Sequence, residues 1–266
     1  MADPLTLWRR FLARPNDDRV KTLGVALLVA FFSAVVVSTA SVLLKPMQDA
    51  HLEAERAARM EAMLDALPGM RALMEEAGVT ALDTRMVDLT EGRFVASPDP
   101  QGYDAIAASL DPATSIGIPA ESDPAGLKRR ENFAPVYLLE RDGDLMLLVL
   151  PMRANGYQST ITAMLALEPD LRTIAALTIT GQGETPGLGA RIAEPDWQAL
   201  WPGKEARDAS GRVVIEVVRG GTAGPQQVDG ISGATRSSMA VGAMMQFWLG
   251  ELGFGPLLGR LATEGL

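Results

Sequence analysis

Val136-Tyr-Leu-Leu-Glu-Arg-Asp-Gly-Asp-Leu-Met-Leu-Leu-Val-Leu150 reads as two strands and the turn between them. Apolar, β-favouring runs at Val136–Glu140 and Leu145–Leu150 flank Asp142–Gly143, a dipeptide suited to a tight hairpin turn. Ser159–Leu167, Thr173–Thr180 and Val213–Val218 continue the pattern as further strands rich in branched residues. Pro195–Leu200 predicts a short helix with proline at its start. Met239–Leu249 predicts a longer one, with Val241, Met244, Met245 and Trp248 on one face. Ser97–Pro135, rich in Pro, Ala, Asp and Ser, is expected to be a long ordered loop. The fold class is therefore α+β, an antiparallel or mixed sheet with packed helices, able to bury one substantial core.

Upstream, Thr22–Leu44 is apolar and free of charge. That length suits one crossing of a hydrocarbon layer about 30 Å thick. A cleaved signal peptide, cut near Ser38-Thr39-Ala40, is the rival reading, but its apolar core would run only about 7–15 residues. Arg9, Arg10, Arg14, Arg19 and Lys21 precede the stretch, while Lys45, Arg56 and Arg59 follow it. This bias predicts a single-pass inner-membrane protein with a cytoplasmic N-terminus and a periplasmic body. Pro46 breaks the helix, and a juxtamembrane helix is expected from Asp49 to Leu67, with Met60, Met63, Leu64 and Leu67 on one face and Pro68–Gly69 at its end. The expected divisions are 1–21, 22–44, 45–97 and 98–266.

The chain is 266 residues long, carries a formal charge of −9 and has no cysteine. Thiolate chemistry, disulfides and Cys-bound metals are excluded. His51 alone cannot build a multi-histidine metal site or a well-placed hydrolytic triad. Residues 1–21 balance at +2, which leaves the rest at −11, so nucleic acid is a disfavoured partner. No catalytic acid, base or metal ligand is assigned; the chemistry is expected from a borrowed group.

Two loops carry the functional reading. Val228–Ser238 runs into the predicted helix and crowds Gly230, Ser232, Gly233, Ala234, Thr235, Ser237 and Ser238 before it. A helix start offers backbone N–H groups and the positive end of its dipole, which suits a phosphate, and Arg236 could add charge beside it. A Ser/Thr-rich helix cap is the plainer alternative. Gly181–Ala190 is a glycine-rich turn whose spacing is neither a P-loop nor a dinucleotide fingerprint.

Asp229-Gly-Ile-Ser-Gly-Ala-Thr235 resembles the flavinylation motif of FMN-binding domains, and Gly183-Glu-Thr-Pro-Gly-Leu-Gly189 resembles its companion segment. Gly156-Tyr-Gln-Ser-Thr160, Ala166-Leu-Glu-Pro-Asp170 and Phe247–Pro256 extend the likeness over nearly the whole chain. Together with the anchor they resemble the C-subunit family of the sodium-translocating NADH:quinone oxidoreductase. The related G subunit of the Rnf complex is the nearest alternative, and a flavin-free scaffold the alternative from another class. The resemblance implies FMN joined by a phosphoester to Thr235, attached by a periplasmic flavin transferase. It implies an attachment loop of Asp229, Gly230, Ser232, Gly233 and Ala234 with Arg236 and Ser237, where Ser237 would be the second candidate acceptor. Glu184, Thr185, Gly187, Leu188 and Gly189 would contact the ring or ribityl chain. Electrons would pass to and from other membrane subunits. The pattern departs at Gln158, where an aromatic residue is usual, and at Arg236 and Ser237.

Overall fold

β6, Asp144–Asn155, is the strand around which the body is built. Leu147 to Leu150, Met152 and Ala154 are buried, because a strand flanked on both sides and covered on its faces can be apolar nearly throughout. The computed structural model describes residues 21–35, 37–39 and 83–266, apart from 101, 142 and 221–223, together with 13, 15, 18, 19 and 45. Two units divide between residues 60 and 61.

In the second unit the chain forms β1 (Asp83–Asp88), β2 (Arg93–Val95), β3 (Ser115–Gly117), β4 (Arg129–Glu131), β5 (Phe133–Arg141), β6, β7 (Thr160–Leu167), β8 (Ile174–Gly181), β9 (Glu216–Val218) and β10 (Gln227–Asp229). One antiparallel sheet has the order β2-β1-β5-β6-β7-β8; β3 and β4 form an antiparallel pair, β9 and β10 a parallel one. The hairpin read in the sequence is β5–β6, with Arg141 opposite Asp144 across a two-residue loop. Gly143 sits there at φ +90°. An L side chain is strained in that region, so Gly143→Ala is expected to cost about 1–2 kcal/mol. Thermal unfolding of the body should shift down by roughly 2–8 °C; an unchanged midpoint would show that the turn does not need glycine.

Helix α1, Lys21–Thr39, belongs to the first unit and is the one helix among the described residues long and apolar enough to cross a membrane. The rest of the predicted span, apart from its flank at Lys45, lies outside the described residues, as does the expected juxtamembrane helix. The second unit adds α2 (Ala105–Leu110), α3 (Pro195–Gln198), α4 (Thr235–Trp248) and α5 (Gly255–Glu264).

Three expectations change. Ser97–Pro135 is not a loop: it holds α2, β3, a 3-10 turn at Ala120–Ser122, β4 and the start of β5. Those elements are only three to six residues long, too short for periodicity, and α2 is announced by its cap, Asp104, whose carboxylate accepts from the N–H of Ile106 and Ala107. Strand Val213–Val218 shrinks to Glu216–Val218, with Val213 making an isolated bridge to Arg207. The long helix begins at Thr235 rather than Met239, so the hydroxyl-rich segment is partly its first turn.

α4 is a strut. Its predicted face, Val241, Met244, Met245 and Trp248, is fully buried in the common core. At its C-terminal end Trp248 donates from Nε1 to the Arg153 carbonyl on β6 at 2.7 Å. The Arg153 guanidinium lies 5.2 Å from the Trp248 ring and forms a buried ion pair with Glu131 of β4. Fixing that end on the sheet sets where the other end, Thr235, emerges about 20 Å away.

Candidate functional site

Thr235 is the first residue of α4 and lies between two clefts. One, of about 320 Å³, is lined by Tyr157, Glu184, Thr185, Leu188, Gly189, Gly233, Ala234, Thr235, Arg236 and Ser237. The other, about 280 Å³, is lined by Val218, Arg219, Gly220, Gly230, Ile231, Ser232, Gly233, Thr235, Ser238 and Met239. Thr235 is half-buried, and among the described residues its hydroxyl makes no hydrogen bond.

The plain capping alternative does not describe these hydroxyls. Ala234 occupies the cap position, and no side chain caps the helix. Ser238 turns back onto the Ala234 carbonyl at 3.0 Å. Ser237, 3% exposed, donates to Glu184 at 2.6 Å. The N–H groups of Thr235, Arg236 and Ser237 precede the first backbone bond of the helix, from Ser238 N–H to Ala234 O.

Glu184 is the joint of the site. It is 4% exposed, yet its carboxylate accepts from Ser237 Oγ and from the backbone N–H of Gln158 (3.0 Å), Ser159 (3.1 Å) and Tyr157 (3.3 Å). Burial pushes its pKa up, but those hydrogen bonds outweigh burial and hold it below the usual glutamate value. The carboxylate thus ties together three segments distant in sequence: the turn after β6, the glycine-rich loop after β8, and the first turn of α4. Gly189 shows how close they come. A Cβ there would collide with Ser237 Oγ and with Glu184.

The expected site residues sort accordingly. Thr185, Leu188, Gly189, Gly233, Ala234, Thr235, Arg236 and Ser237 share the first cleft, and Gly230 and Ser232 line the second. Glu184 also borders the first cleft, with its carboxylate bonded to protein donors. Ser237, the second candidate acceptor, has its hydroxyl buried and bonded to Glu184. Asp229 and Gly187 line neither cleft; Asp229 accepts on its backbone oxygen from Trp197 Nε1 at 2.8 Å.

Tyr157 also lines the first cleft, although it is not among the expected site residues. The expected gap in aromatic surface was at Gln158, whose amide instead donates to Thr185 at 3.1 Å. The exposed ring is supplied one residue earlier, and Arg236 stacks over it with 5.1 Å from guanidinium to centroid. One departure from the motif, Arg236, therefore meets the ring that stands next to another, Gln158. Tyr157 and Leu188 are the exposed apolar groups at the first cleft.

Residues 156–250, which contain every one of these groups, match the FMN-binding domain family. The C subunit of the Na(+)-translocating NADH-quinone reductase from Pseudomonas aeruginosa is 41% identical over 92% of this chain and 97% of its own length. Its Vibrio parahaemolyticus counterpart is 36% identical over 96% of this chain and all of that protein. The chain belongs to the C-subunit family of this reductase. Among solved structures, Shewanella oneidensis NqrC has a TM-score of 0.67 and 30% identity, covering 76% of this chain and 97% of that one. The C subunit from Parabacteroides distasonis shares the fold at a TM-score of 0.52 and 24% identity, covering 78% of this chain and 91% of that one. Membership decides between the two related respiratory complexes in favour of the sodium-translocating reductase, an oxidoreductase assembly of several subunits.

Proposed function

We propose that this C subunit relays electrons through an FMN joined by its phosphate to Thr235 Oγ. The single observation that carries the reading is the Thr235 hydroxyl: unengaged, half-exposed, at the start of an uncapped 14-residue helix and on the ridge between two clefts. A phosphate on that oxygen would sit against the first N–H groups of α4, with the dipole and Arg236 offsetting its charge. Tyr157 and Leu188 offer apolar surface for a planar ring, and Gly189 lets the glycine-rich loop close against Ser237 and Glu184. The flavin supplies one- and two-electron redox chemistry when bound. The residues named here fix its position, shield it from water on one side and set its electrostatic surroundings. None need act as acid, base or nucleophile during transfer.

Attachment by a flavin transferase would form a bond from Thr235 Oγ to the FMN phosphorus of FAD. The bond from that phosphorus to AMP breaks, AMP leaves, and the hydroxyl proton is released. Residues 22–44 would cross the inner membrane, with 1–21 cytoplasmic and a periplasmic body made of 45–97 and the FMN-binding domain, 98–266. Five basic residues before the span against three after it favour that orientation. Other membrane subunits would deliver and collect electrons, and NADH oxidation, quinone reduction and sodium movement would occur on those chains.

The test is the denatured chain purified from a host with the transferase. It should fluoresce in the gel as a flavin, and its intact mass should exceed the sequence mass by one FMN less one water, on the peptide containing Thr235. A dark band at the bare sequence mass would overturn the relay and leave the scaffold reading.

A further inference from the structure

A further cleft lies at the opposite end of α4 from Thr235. It measures about 580 Å³ and opens where the Arg207–Val213 turn meets the α4–α5 turn, Leu249–Pro256. Arg207 is its unusual member. The residue is only 8% exposed, and its Nε donates to the Gly211 carbonyl at 2.9 Å. Among the described residues no carboxylate forms an ion pair with its guanidinium. Asp208, the next residue, accepts from Ser210 Oγ at 2.6 Å and pairs with Arg212 at 3.1 Å. Burial lowers the Arg207 pKa, as expected of a cation that has lost water and gained only part of a counter-charge. Such groups are almost always paired when buried.

We propose that this cleft docks an acidic segment of another subunit of the complex, with a carboxylate closing on Arg207 and Arg212. The proposal rests on membership in the C-subunit family for the existence of that partner, and not on the flavin. Two observations choose the occupant. A bare anion would leave most of 580 Å³ empty, whereas the partly exposed Val213 and Pro256 give a chain segment apolar surface to lie on. An extended polyanion, a nucleic acid or an anionic membrane, would also meet the net charge of −11 carried by residues 22–266. A short segment brings its charge only to the arginines. Glu251 at the cleft restricts where an incoming carboxylate can sit and so adds register.

The test uses the whole complex, purified through a tag on this chain. Ser210→Lys places an amine at the cleft, and a carbodiimide then joins amines to carboxylates with loss of water. A cross-linked peptide between position 210 and an Asp or Glu of another subunit is the expected product. Cross-links only within this chain, or none, overturn the proposal; free acetylation of that amine in the intact complex does the same. Arg212→Glu provides a second arm at a side chain 78% exposed, with an unfolding midpoint measured alongside because its ion pair with Asp208 is lost. Recovery of the other subunits with this chain should drop at least about tenfold, with flavin per chain unchanged. Undiminished recovery overturns the docking. Missing flavin with the cross-link present would count against the electron relay alone.

Discussion

On the proposed attachment, Thr235→Val is expected to remove all covalent flavin and to leave the protein folded. The substitution keeps the shape of the side chain and deletes only the oxygen, and no hydrogen bond or cap is lost with it, because Ala234 caps α4 without side-chain help. Substitutions at partly exposed positions without such partners stay within about 0.5 kcal/mol, so the thermal midpoint should move by no more than ~2 °C. In-gel fluorescence should fall to background in a host where the wild-type chain is fully labelled. Thr235→Ser should keep it, since the hydroxyl is restored at the same place. The neighbouring hydroxyls make the experiment decisive. Ser237 is buried against Glu184 and cannot present its oxygen without breaking that bond, and Ser238 is wholly buried. Ser232, exposed in the second cleft, is the remaining acceptor nearby. A fluorescent Thr235→Val chain would sink the assignment, and the labelled peptide would say whether Ser232 had carried the group.

What is legible in the chain divides by length of signal. The β5–β6 hairpin, β7, β8 and the buried face of α4 each span eight or more residues of consistent pattern, and all are present. α2, β3, β4 and β9 are three to six residues long and owe their form to tertiary neighbours, so Ser97–Pro135 resembles a loop and β9 reads too long. β1 and β2 carry no clear pattern of their own, although β1 pairs with β5 along its whole length. The site is legible as two motifs but not as an arrangement. That Glu184 reaches Ser237, 53 positions away, is a fact about folding that no local spacing contains. Tyr157 does leave a signal: it is the only tyrosine between Tyr137 and the C-terminus, and it stands inside the Gly156–Thr160 segment, next to the glutamine that departs from the pattern.

Glu184→Gln tests that joint. The amide is nearly isosteric, so the clefts keep their volume, but one acceptor oxygen becomes an NH₂ group facing donors. The carboxylate now takes bonds from Ser237 and three backbone N–H groups at 4% exposure, and leaving one or two such donors unmatched costs about 2–3 kcal/mol. The thermal midpoint should fall by roughly 4–12 °C. The pH dependence separates this cause from simple loss of packing. Because the folded-state pKa is held below the ordinary value, the carboxylate's contribution is full above the unfolded-state pKa of about 4.3 and is lost as pH falls through the folded value. The gap in stability between wild type and Glu184→Gln should therefore be constant from neutral pH down to about pH 5 and close in acid. A packing defect would leave the gap independent of pH. On the proposed attachment flavin should remain bound, since Thr235 is untouched, but its absorption and potential should shift, because the loop with Leu188 and the turn with Tyr157 would no longer be held to the helix proposed to carry it. A variant with unaltered stability across pH and an unaltered flavin spectrum would mean that the three segments are positioned without Glu184.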